Sequence, residues 1–82
     1  MGDLAGARPY YERALAIRER VLGPEHPDTA QSLWWMGVLS EQDGDRAKAR
    51  SYYARALKIY EMRLGADHPD TKSVRQFLSR VS

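Results

Sequence analysis

Apolar and small residues recur along this chain at the spacing of amphipathic helices. Between Arg46 and Leu64 they fall at Ala49, Tyr53, Ala56, Leu57, Tyr60 and Leu64, and an earlier stretch repeats the pattern at Ala7, Tyr11, Ala14, Leu15 and Leu22. One face of each segment is therefore predicted to be buried. Gly23 and Gly65 stand where a left-handed C-cap is wanted, and Pro24, Pro27 and Pro69 keep a helix from running through the loop. Asp28 and Asp70 are expected to cap the helices that follow, their carboxylates facing free backbone N–H groups at the positive end of the dipole. Asp43-Gly44-Asp45 supplies a tight turn. The predicted layout is all-α, with helices over about 3–22, 28–43, 45–64 and 70–81. Loops this short make neighbouring helices antiparallel.

The pattern is doubled. A shift of 42 places Gly2-Asp3 on Gly44-Asp45, Tyr10-Tyr11 on Tyr52-Tyr53, Leu22-Gly23 on Leu64-Gly65 and His26-Pro27-Asp28-Thr29 on His68-Pro69-Asp70-Thr71. Of the 39 pairs formed by residues 2–40 and 44–82, 19 are identical. This predicts two stacked helical hairpins in one domain over 1–82, with units of about 2–43 and 44–82. Small residues at Ala7, Ala14, Gly37, Ala49 and Ala56 allow close approach, and Tyr11, Met36 and Tyr53 fill the space beside them.

These residues resemble the tetratricopeptide repeat, in the 42-residue form found in kinesin light chains and nephrocystin-like proteins. The likeness rests on Leu33, Met36 and Gly37 of one helix, on Ala49, Tyr53 and Ala56 of the next, and on the run Tyr52 to Glu61 followed by Leu64-Gly65 and His68-Pro69-Asp70-Thr71. It implies a right-handed superhelical fragment that binds a peptide or partner protein in a groove, without catalysis and without a cofactor. The kinesin light chain form carries a pair of groove-facing asparagines on the first helix of each repeat. Here those positions hold Trp34 and Trp35, and then Gln76 and Phe77. The expected partner-binding set is Gln31, Trp34, Trp35, Val38, Glu41 and Gln42, with Trp34 the more exposed tryptophan and the polar residues forming a rim.

Composition narrows the chemistry. The chain has 82 residues, room for one small domain. With no cysteine, disulfides and thiolate metal sites are excluded. His26 and His68 sit in loops of different repeats, and no metal site is expected. The His-Pro-Asp tripeptide also marks J-domain co-chaperones, but its recurrence at a 42-residue offset fits a repeat boundary better. No nucleophile, base and orienting group share a spacing that suggests catalysis. Neither a membrane span nor a secretory leader is legible, so a cytoplasmic protein is expected. The net charge of +2 is too weak to imply nucleic acid on its own.

Two alternatives to the peptide-binding reading stand beside it. One is self-assembly. In the phase of the repeat, the first helix is a second-type helix without its predecessor and the last is a first-type helix without its successor. The faces expected to be unfilled are Tyr11, Ala14 and Leu15 at one end and Val74, Phe77, Leu78 and Val81 at the other, so a homo-oligomer is a candidate assembly. The other is a basic RNA-binding helical domain, since residues 43–82 carry nine basic and five acidic side chains. Steep salt dependence would distinguish it.

Overall fold

Four helices follow one another: α1 (Leu4–Val21), α2 (Pro27–Gln42), α3 (Arg46–Arg63) and α4 (Pro69–Val81). The structure, a computed structural model, describes residues 4–82, with side chains from Arg8 onward. The expected helix start at Asp3 and the packing expected of Ala7 lie outside the described residues. Every other boundary lies within about one residue of its expectation, a margin that helix fraying covers.

The two hairpin loops are near copies. Gly23 and Gly65 have φ of +99° and +92°. Their N–H groups reach back to the Arg18 and Tyr60 carbonyls, closing the ends of α1 and α3. The next helix is capped by histidine, not by aspartate as expected. His26 Nδ1 accepts from the Asp28 N–H at 3.0 Å, and His68 Nδ1 from the Asp70 N–H at 3.1 Å. With the histidines as N-caps, Pro27 and Pro69 occupy the first helical position, where proline forfeits no hydrogen bond. The aspartates sit in the first turn, where their charge still favours the dipole.

Consecutive helices pack against one another, and α2 with α3 is the central pair. One apolar cluster joins Ala30 and Leu33 of α2 to Ala56, Ile59 and Tyr60 of α3 and Val74 of α4, with Leu15 of α1 against it. A second joins Ala49 and Tyr53 of α3 to Val81. The helices come close at Gly37, where an added Cβ would lie 2.5 Å from Tyr53 Cε1. The tyrosine ring occupies the space that a side chain on α2 would need.

Val74 and Val81, expected at an unfilled end, are buried against α3, and Phe77 and Leu78 are half-buried beside them. The apolar stripe of α4 is already consumed by the preceding helix. Its outward residues are polar: Lys72, Arg75, Gln76, Ser79 and Arg80. At the other end Tyr11 and Leu15 turn toward α2 and the core. Only Ala14 of the expected trio borders the open side, which is formed by Tyr10, Ile17 and Val21. Adjacent helix positions point about 100° apart, so a one-residue error in the stripe selects a different face.

Two stability predictions follow from this packing. Gly37→Ala and Ala56→Leu should each cost about 1–3 kcal/mol by overpacking, and Tyr53→Ala about 3–5 kcal/mol, read from urea unfolding midpoints. The second concerns Tyr60, whose hydroxyl is pushed up to about 12 by burial, with the charges of Asp70 and Asp28 adding to it. The neutral phenol is favoured in the fold. Its contribution is intact below the ordinary tyrosine range near pH ~10 and is lost as pH rises through about 12. Tyr60→Phe should therefore lose less stability than the parent between those pH values in an alkaline unfolding series.

Candidate functional site

Between α2 and α4 lies an apolar hollow of about 270 Å³, lined by Gln31, Trp34, Trp35, Val38 and Phe77. The α2 residues share one face because they are spaced three and four apart or adjacent, and Phe77 completes the wall from α4. The rings are fixed by one another. Trp34 meets Phe77 edge-on at 5.4 Å between centroids and Tyr60 at 6.1 Å. Trp35 stacks on Tyr11 of α1 at 5.9 Å with the planes 13° apart. Phe77 meets Tyr53 at 5.6 Å. Tyr11 with Trp35 and Tyr53 with Phe77 are equivalent pairs one repeat apart, since both members shift by 42, the first stacked and the second edge-on at 71°.

The expected set is brought together in part. Gln31 and Val38 border the hollow as anticipated. The order of the tryptophans is reversed: Trp35 is 47% exposed, whereas Trp34 is half-buried among Phe77 and Tyr60. Trp34 turns into the α2/α4 contact because α4 supplies an aromatic there. Gln42, the last residue of α2, is exposed and does not line the hollow. Phe77, expected in a self-association face, is a wall of the hollow instead. The 42-residue offset that pairs it with Trp35 was the sequence signal for this role.

Glu41 is not a free rim residue. Arg80 of α4 donates to it twice, from Nε to Oε2 at 3.0 Å and from Nη2 to Oε1 at 2.9 Å. Tyr53 of α3 donates its hydroxyl to Oε1 at 2.7 Å. The Arg80 guanidinium also lies 4.6 Å over the Phe77 ring. One carboxylate thus ties three helices together beside the hollow. The hydrogen bonds from Arg80, with a further contribution from Tyr53, outweigh partial burial and hold the Glu41 carboxyl below its usual range. Burial, reinforced by Glu41, pushes the Tyr53 hydroxyl well above the usual tyrosine range. Sequence reasoning missed this clamp because Glu41 and Arg80 are 39 residues apart and neither recurs at the repeat offset.

Arg8 and Arg55 belong to pairs that recur at the 42-residue offset, Arg8 with Arg50 and Arg13 with Arg55. Arg8 of α1 pairs with Asp43, and Arg55 of α3 pairs with Glu19 of α1 at 3.0 Å. No group of three or more metal-binding side chains occurs among the described residues. No described helix is long and apolar enough to cross a membrane.

The helices pack as antiparallel neighbours, with Gly37 of α2 against Tyr53 of α3 and the hollow on the α2 side. The sequence model described as tetratricopeptide repeat matches residues 1–62 of the chain. The chain belongs to the tetratricopeptide repeat family. Tetratricopeptide repeats are generally protein–protein interaction modules of a non-catalytic kind. A comparison with curated proteins finds no match.

The carboxylate clamp generates a pH prediction. A depressed Glu41 adds stability that is present above the ordinary carboxylate range near pH ~4 and is lost as pH falls through its lower folded value. Glu41→Gln should lower the thermal midpoint at pH 7, and the gap from the parent should shrink progressively below pH ~4. A pH-independent gap would mean that ionisation of Glu41 contributes nothing to stability.

Proposed function

We propose that this tetratricopeptide repeat unit, spanning residues 1–82, binds a peptide segment of a partner protein by seating one bulky apolar side chain in the hollow of Trp34, Trp35, Val38 and Phe77. The observation that carries the reading is the lining itself. Four apolar side chains, three of them aromatic and braced by other rings, form a pre-shaped socket that needs little reordering on binding. Gln31 at the edge can hydrogen-bond a ligand backbone through its amide. The asparagine pair of the kinesin light chain form would recognise a peptide by polar contacts. Tryptophans in those positions favour an apolar anchor. The protein holds its ligand and performs no reaction on it.

Self-assembly without an external ligand is the weaker reading, because the α4 residues that would dock on another chain are spent inside the fold. RNA binding is weaker still. Several of the basic groups are engaged with carboxylates, as at Arg55 with Glu19, Arg75 with Glu61 and Arg80 with Glu41.

Selection of binders from a random linear peptide library tests the proposal. Selected sequences should converge on a bulky aliphatic or aromatic residue. Val38→Asp should weaken the best of them by about tenfold or more while leaving the circular dichroism spectrum intact, and Gln31→Ala should weaken it severalfold. Acrylamide quenching of Trp35 should fall on binding. Selected peptides without an apolar anchor, or affinity unaffected by Val38→Asp, would overturn it.

A further inference from the structure

The two ends of the stack differ in character. α4 presents Lys72, Arg75, Gln76 and Ser79 outward. α1 presents Tyr10, Ala14, Ile17 and Val21, spaced four, three and four apart along one side of the helix. Tyr10 is 75% and Val21 74% exposed. Of the large exposed hydrophobic residues Tyr10, Ile17, Val21, Leu22, Trp35 and Met62, all but Met62 lie on α1, at its end, or stacked against it.

The repeat shows what such a face holds. Tyr52, Ala56 and Ile59 of α3 are the same residues one period later, and there α2 covers them with Ala30 and Leu33. Ile59 is 6% exposed, whereas Ile17 is 52% exposed. At these three positions identical side chains in identical register differ in having a helix laid across them, while Arg63 stands in the second copy where the first has Val21. The ligand geometry that this face accepts is therefore a helix with small and branched apolar residues at the contact.

Charge selects which helix. Arg13 and Arg20 border the stripe on its solvent side, exposed and without an ion pair among the described residues. A second copy meets like charge by either route. Antiparallel α1 against α1 sets Tyr10 opposite Val21 and Ala14 opposite Ile17, but it brings Arg13 toward Arg20 of the second copy. α4 of a second copy offers Lys72 and Arg75 where α2 offers Ala30 and Leu33. Carboxylates flanking an apolar stripe are complementary to both arginines.

We propose that the Tyr10–Ala14–Ile17–Val21 face of α1 docks an amphipathic helix of a partner protein whose apolar stripe is flanked by Glu or Asp, at a surface separate from the α2/α4 hollow. The probe is a fluorescein-labelled, hydrocarbon-stapled 16-residue helix carrying Ala, Leu, Ala and Ser at the spacing of Ala30, Leu33, Gly37 and Ser40, with glutamates on both borders. An otherwise identical peptide with lysine borders is its control. In fluorescence anisotropy at low salt the glutamate peptide should bind about fivefold or more tighter than the lysine peptide, a preference that narrows in 0.5 M NaCl. Ile17→Lys and Val21→Lys, at exposed positions, should each weaken it about tenfold or more with unchanged melting curves. The double variant Arg13→Glu, Arg20→Glu should invert the border preference, and Val38→Asp in the hollow should have no effect. Equal binding of the two peptides, or binding indifferent to Ile17→Lys, overturns the proposal. So does a dimer in light scattering that Ile17→Lys disperses, because a second copy is then the occupant.

Discussion

Tyr53 can lie where it does only because position 37 carries no side chain. The close approach of α2 and α3 at that point sets the distance between the central helices, and the neighbouring contacts are arranged around it. The ring that fills the gap also meets Phe77, which orients α4, and its hydroxyl holds Glu41, which in turn receives Arg80. One aromatic side chain therefore acts on α2 by packing against Gly37 and hydrogen bonding to Glu41, and on α4 by edge-to-face contact with Phe77. The hollow is a by-product of this arrangement, since Phe77 becomes its wall by leaning on Tyr53.

The fold was largely legible because it is written twice. The glycine, the histidine and the proline after it recur at the same phase in both hairpin loops, so a local signal that is weak at Gly23 alone becomes firm when Gly65 repeats it. The caps were misassigned within an otherwise correct loop, because histidine and aspartate both offer an acceptor and only geometry decides between His26 and Asp28. The site was legible as far as α2 reaches. Gln31, the tryptophans and Val38 share a helix face that periodicity can identify. Phe77, Glu41 and Arg80 depend on how α4 is rotated against α2 and α3, and that rotation is set by side chains that no spacing rule reads.

Divergence between the copies carries as much information as their identity. Ala30 and Leu33 of α2 become Lys72 and Arg75 of α4 while the positions facing backward, Thr29 and Thr71, are unchanged. The first helix of each repeat has two faces with separate histories. The backward face keeps the repeat geometry, and the forward face is apolar in α2, which has a helix to cover, and charged in α4, where Lys72 and Arg75 are exposed. The same substitution pattern explains why the two ends of one small stack differ so much in polarity.

Support for α1 comes almost wholly from one side. It rests on α2 and touches the neighbourhood of α3 through Leu15 and the pair of Glu19 with Arg55. In a linear array of this kind, opening is graded by neighbour contacts, and the least contacted element exchanges its amide hydrogens first. Trp35 stacks on Tyr11, so release of α1 withdraws the backing of one wall of the hollow. The fraction of molecules with α1 detached is then a fraction with a looser socket. Occupancy of the hollow and closure of α1 are linked quantities, each raising the other by the same factor.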